Sequence, residues 1–127
     1  MVLRSDDRGA SWSYIPTGYK GSFWTGAALS DGSLLAAGLR GHIYRSTDAG
    51  LSWTEVPSGT QQSLTAITER TDGQVRLVGL SGVVLTSRDH GQHFTLAIRP
   101  DRANITSLSA TPRTEVLFSA SGVLSNP

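Results

Sequence analysis

The chain of 127 residues contains no cysteine, which excludes disulfides, thiolate metal sites and thiol nucleophiles together. Its absence leaves the compartment open, because a chain without thiols folds on either side of a membrane. Lysine is almost missing as well: of eleven Lys and Arg residues, only Lys20 is lysine. Basic and acidic groups balance to a net charge of +1, so no global field draws the chain to nucleic acid or to an anionic membrane. No apolar run approaches the ~20 residues that span a bilayer. Met1-Val2-Leu3-Arg4 is too short for a signal peptide, which predicts either a cytoplasmic chain or a processed or truncated piece of a longer one. An apolar period of 3.6 residues over three turns is also lacking, so essentially no helix is expected.

What is present is a repeat. The pattern Ser-x-Asp-x-Gly-x-x-aromatic occurs as Ser5, Asp7, Gly9 and Trp12, as Ser46, Asp48, Gly50 and Trp53, and as Ser87, Asp89, Gly91 and Phe94, in steps of 41 residues. We refer to each copy as a box. The chain divides into a single repeat segment over 1–127, made of four lead-in residues and units at 5–45, 46–86 and 87–127. A period in this range marks a repeat architecture.

The second unit shows what is repeated. Leu64 to Thr68, Val75 to Leu80, Val83 to Thr86 and Phe94 to Ile98 are short β-rich runs separated by turn signals. Asp31-Gly32 recurs as Asp72-Gly73 and predicts a two-residue hairpin with both central residues at positive φ. Pro16 recurs as Pro57 and is expected to close the fourth strand. Four antiparallel strands per 41 residues is the size of a β-propeller blade. The fold class is therefore all-β, a propeller-type array of four-stranded antiparallel blades.

In each unit the box falls between the third and fourth strands. Its Asp can accept hydrogen bonds from backbone N–H groups of its own turn. Its Gly supplies a conformation closed to residues with a Cβ, its Ser adds a local bond, and its aromatic ring covers the turn. Every part of that reading is structural.

The box resembles the Asp-box, or BNR repeat, of sialidases, xyloglucanases, sortilin-type receptor domains and Ycf48-like photosystem II assembly factors. The run from Gly38 to Trp53 (GLRGHIYRSTDAGLSW) is most similar to the Ycf48-like signature, and its second copy, Gly79 to Phe94, departs from it at Thr86 and Phe94. The resemblance implies a β-propeller with its boxes on the blade rim, away from the central site. It also implies an extracytoplasmic setting for a processed piece, and an Arg-bearing face that receives a polypeptide partner.

Counting strands from one end to the other gives two full blades and two complementary halves. The leading half is Val2 to Ser5 with Ser11 to Ile15. The trailing half is Ile105 to Ser109 with Val116 to Ser121 and a stub, Val123-Leu124. Fewer blades than the ~4–8 of a closed ring leave two expectations open: two copies completing a six-bladed ring, or the missing remainder of a longer chain.

Residues for catalysis are not found. Glutamate occurs only as Glu55, Glu69 and Glu115, and a hydrolase of the sialidase or xyloglucanase type, the alternative reading as a glycoside hydrolase fragment, needs an Arg triad or a carboxylate pair. His90 and His93 flank Gly91 without carboxylate or thiol support for a metal. There is no phosphate-binding loop and no nucleophile elbow. The expectation is a non-enzymatic protein-binding or assembly scaffold with no cofactor and no metal. Its candidate partner-binding residues are Arg4 and Arg45 in one register, Arg40 expected close by, and Trp24 facing the ring interior or an interface.

Overall fold

The computed structural model describes residues 2–124. Its strands are β1 (Val2–Arg4), β2 (Ser13–Ile15), β3 (Phe23–Ala28), β4 (Leu34–Gly38), β5 (Ile43–Ser46), β6 (Thr54–Val56), β7 (Leu64–Glu69), β8 (Val75–Gly79), β9 (Val83–Ser87), β10 (Thr95–Ile98), β11 (Ile105–Ala110), β12 (Glu115–Ser119) and β13 (Gly122–Leu124). They form four antiparallel sheets, β1-β2, β3-β4-β5-β6, β7-β8-β9-β10 and β11-β12-β13, as an array of propeller-type blades. Strands β2 and β6 stop at the residue before Pro16 and Pro57, which cannot donate to a ladder. The described residues include no helix long and apolar enough to cross a membrane.

Alternation of side chains gives each blade two faces. On one face of β3–β6, Leu35, Ala37, Ile43 and Val56 meet Leu64, Val75, Leu77, Val83 and Leu85 from β7–β10. Val78 from the far side of β7–β10 then meets Ile105, Leu108 and Leu117 of the third blade. Leu35, Leu64, Leu77, Leu85 and Ile105 are almost or wholly closed to solvent. Each is worth roughly 1.5–3 kcal/mol relative to exposure, so blade-to-blade contact rather than any single blade supplies the core. Strand β7 lies against both β3 and β11, placing these first strands on the inner side.

The antiparallel path sorts the connections to two ends of the array. Boxes and the Asp-Gly turns share one, the box end. The opposite, crossover end holds the strand from each blade to the next and the 3₁₀ turns Leu39–Gly41 and Leu80–Gly82. In each inner strand the pairing register skips one residue, at Trp24, Thr65 and Thr106. Such bulges bend a strand and re-aim its side chains.

Two expectations change. The Asp31-Gly32 and Asp72-Gly73 hairpins are three-residue loops in which only Gly32 and Gly73 take positive φ, at 88° and 87°. In the first, Gly32 N–H donates to Leu29 O at 3.0 Å and Leu29 N–H to Ser33 O at 2.8 Å. Asp31 Oδ1 accepts from Ser33 N–H at 2.9 Å, which holds Asp31 inside the turn instead of at a left-handed centre. The trailing stub is also a real third strand: β13 pairs with β12 from Ser119↔Gly122 to Leu117↔Leu124. Gly122, at φ 105°, makes the tight reversal, which the sequence pattern hid because β12 pairs one residue out of phase with the 41-residue repeat.

Glycine positions separate two physical effects. A Cβ on Gly79, whose backbone is extended, would overlap the Ser63 carbonyl oxygen, so Gly79→Ala should cost about 2–3 kcal/mol through overpacking. Gly73 has open space around it and only its left-handed φ to lose, so Gly73→Ala should cost about 1 kcal/mol. Urea unfolding of the two variants checks the order.

Candidate functional site

Each box is a closed hydrogen-bonded turn. Asp7 Oδ1 accepts from Ser11 N–H and from the Ser5 hydroxyl, both at 2.8 Å, and Oδ2 accepts from the Ser11 hydroxyl. Ser5 Oγ in turn accepts from Gly9 N–H at 2.8 Å. The second box repeats this with Asp48, Ser52, Ser46 and Gly50. The third uses Asp89, His93, Ser87 and Gly91, with His93 Nδ1 at 2.6 Å from Asp89 Oδ2. The indole N–H of Trp12 and of Trp53 donates to Gly9 O and Gly50 O, at 3.1 and 3.0 Å. Phe94 has no such donor and instead packs against the main core.

These bonds hold the carboxyls ionised. Donation from Ser11 and Ser5 lowers Asp7 to about 2, and donation from Ser52 and Ser46 lowers Asp48 to about 2. At Asp89 burial opposes ionisation, but the bonds from His93 and Ser87 outweigh it and the carboxyl is lowered. The residue just before the aromatic (Ser11, Ser52, His93) is thus a full member of the box, and sequence reasoning missed it. The serine shared by two units was its signal. Also missed were Arg8, Ala49 and His90, which take φ of 59°, 60° and 57° directly before the box glycine.

The arginines separate into two groups. Arg4 Nε donates to Ala49 O at 2.7 Å and Arg45 Nε to His90 O at 2.8 Å. Each therefore grips the box of the following blade at the same left-handed residue. Arg4 also pairs with Asp6 at 2.7 Å and Arg45 with Asp31 at 3.4 Å. Gly91 lies against Leu35 and Gly50 against the Arg4 stem, so the box seats directly on the neighbouring blade. The shared register of Arg4 and Arg45 is real, but their guanidinium groups tie blades together.

Arg40 is not close by, as a correction to that expectation. It sits in the 3₁₀ turn before β5 at the crossover end, whereas Arg45 lies toward the box end of β5. Arg40 is exposed, sits at φ 58°, and its N–H donates to Ser63 Oγ of the next blade at 3.2 Å. Its guanidinium makes no hydrogen bond or ion pair among the described residues. It lines a cleft of about 720 Å³ with His42, Glu55, Ser58 and Thr60, where His42 Nδ1 lies against Glu55 Oε2. Trp24, 48 % exposed, belongs to the same end: Gly38, two residues before Arg40, lies against the Trp24 backbone N.

The other titratable groups are engaged elsewhere. Glu69 accepts from Ser30 N–H and its hydroxyl, both at 2.9 Å. Glu115 accepts from Arg70 at 2.8 Å and Arg76 at 2.9 Å. Among the described residues no three His, Cys, Asp or Glu side chains group as metal ligands. His90 faces Asp31 at 3.8 Å, whereas His93 serves its own box.

Two outcomes follow from this geometry. Asp7 and Asp48 have folded-state values below the ordinary 3.8, so their contribution is complete above that value and is lost as pH falls toward about 2. Asp48→Asn should therefore lower the urea midpoint at pH 7, and the gap from the parent should close between pH 4 and pH 2. Arg45→Ala, which removes a half-buried charged donor, should cost about 1.5–3 kcal/mol, with Arg45→Lys recovering only part because a lysine lacks the guanidinium fork.

No protein-family model and no curated protein matches the chain. Among solved structures, it is similar to YCF48 bound to a D1 peptide, with a TM-score of 0.63, 22 % identity, and coverage of 92 % of this chain and 39 % of that one. It is also similar to a protein of unknown function from Dyadobacter fermentans, with a TM-score of 0.58, 19 % identity, and coverage of 91 % and 42 %. The chain thus spans about two fifths of the length of either. What these likenesses share with the sheets described above is the fold, a Ycf48-like array of antiparallel propeller blades.

Proposed function

We propose that the chain is a non-enzymatic scaffold that receives a polypeptide segment at its crossover end, and that its boxes are Asp-boxes with a purely structural role. The observation that carries this reading is Arg40. Its guanidinium is exposed, lacks a partner among the described residues and lines the 720 Å³ cleft, with Trp24 exposed at the same end. A left-handed turn position such as Arg40 holds an arginine at a cost that glycine would avoid. The equivalent position in the second unit is Ser81, at φ 57°, so the turn itself does not call for a guanidinium. Arginine and an exposed aromatic at one end suit a carboxylate-bearing peptide: planar, bidentate contact from one and a stacking surface from the other.

The solved YCF48 carries a bound peptide, which supports a peptide as the class of partner here. Arg4 and Arg45 leave the binding proposal and become blade clamps, whereas Arg40 and Trp24 stay in it. In this reading the receiving end belongs to an assembled ring.

Panning a library of acidic and neutral peptides against the chain, followed by calorimetry on the captured sequences, is the direct test. Arg40→Glu should weaken an acidic ligand by at least about tenfold, or 1.4 kcal/mol, and Trp24→Ala by a similar factor, with unfolding midpoints unchanged. Equal affinity for the parent and Arg40→Glu would remove the crossover end as the site.

A further inference from the structure

The two complete blade interfaces obey one rule. A cation on the outer half of a blade grips the backbone carbonyl of the left-handed residue in the next blade's box, Arg4 to Ala49 and Arg45 to His90. The corresponding face of β7–β10 carries the makings of the same grip and no box on it among the described residues. A cleft of about 550 Å³ opens there between Arg76, Thr86, Arg88, Asp89, His93 and Thr95. Thr86 stands in the place of Arg45, but its cross-strand neighbour is Arg76, which stands in the place of Leu35. Arg76 Nε is buried without a hydrogen-bond partner, and Arg88 is exposed.

The apolar residues of this face tell the same story. Ile43 and Val56 are 0 % and 8 % exposed beneath the second blade. Their counterparts one repeat later, Val84 and Ala97, are half-buried and exposed. Conversely, the β1-β2 hairpin holds a complete box with one face uncovered: Leu3, Trp12 and Tyr14 are 52 %, 61 % and 60 % exposed. Leu3 and Tyr14 are a cross-strand pair on that face. The counterparts of Leu3 in the next two blades, Tyr44 and Leu85, are 8 % and 0 % exposed.

We infer that the cleft over β8–β10 is a box receptor and that its occupant is the β1-β2 hairpin of a second copy of this chain. Three repeats of 41 residues bring Arg8 into the phase of Ala49 and His90, and Arg8 has the same left-handed backbone, φ 59°. The Arg8 carbonyl of the incoming copy therefore lies over Thr86, within reach of Arg76 and Arg88. Asp6 of that box, 76 % exposed on its side chain, adds charge complementary to the exposed Arg88, Arg76 being already paired with Glu115 at 2.9 Å. Leu3 replaces Leu124, which with Val84 packs on the core of the third blade in the single chain, and Tyr14 covers Ala97. In the joined blade, incoming β1 takes the position that β13 holds beside β12, one three-residue strand for another. The contact is head-to-tail, so each copy offers one hairpin and one receptor.

Sedimentation equilibrium over a concentration series tests the inference independently of peptide binding. The expected species has twice the chain mass of 13.5 kDa. Leu3→Asp combined with Tyr14→Asp, both at exposed positions, should raise the dimer dissociation constant by at least about tenfold without altering the circular dichroism. Because the chain has no cysteine, Arg8→Cys in one preparation and Thr86→Cys in another supply unique thiols. Mixing the two with a short bismaleimide should give a cross-linked heterodimer, and neither variant alone should link. A folded monomer at every concentration overturns the proposal. So does a dimer that tolerates the double aspartate variant or fails to cross-link in the mixture, since its copies would then meet elsewhere.

Discussion

The hydrogen bonds from box serines or histidine to a single carboxylate make the array possible. A connection between the third and fourth strands must reverse the chain and present a fixed surface to the next blade. The carboxylate draws in a backbone N–H and two side-chain donors, so the turn is rigid without a core of its own. Rigidity places the Ala49 and His90 carbonyls where an arginine from the preceding blade can find them. The packed faces supply most of the energy, but the box sets the register in which those faces meet. Loss of one carboxylate charge therefore reaches beyond its own loop.

Much of this was legible in the residues. A constant step of 41 with Asp, Gly and an aromatic at fixed places gives strands, turns and blade size, because each residue type answers a local backbone requirement. Proline after the fourth strand was equally plain. The turn type was not: Asp-Gly suits either a two- or a three-residue loop, and the bond from Ser33 to Asp31 selects the latter. Strand β13 was obscured because the third unit loses a residue relative to the repeat, so alignment by period overlooked Gly122 as its turn.

The binding surface was less legible, for a different reason. Arg4 and Arg45 share a register in sequence, and their repetition suggested a stripe open to a partner. Repetition every 41 residues is equally what an interface between repeats demands, and the carbonyls they grip lie 45 residues away, beyond any local pattern. Arg40 looked like their neighbour because it stands only five positions before Arg45, but it belongs to the turn at the start of β5 and Arg45 to the far end of that strand. Exposure and pairing, not spacing, distinguish the clamp from the free cation.

The inward move of the cation from β5 in one blade, Arg45, to β8 in the next, Arg76, has a consequence for engineering. Arg45 meets a backbone carbonyl in the box of its neighbour, whereas Arg76 meets the carboxylate of Glu115. Blades that look interchangeable by motif thus have different sockets, and each recognises its own successor. A gene in which the second and third units were exchanged would keep every box and every strand while leaving Glu115 facing Leu35. Repeats that share one motif thus stand in a fixed order, written in which strand bears the charge.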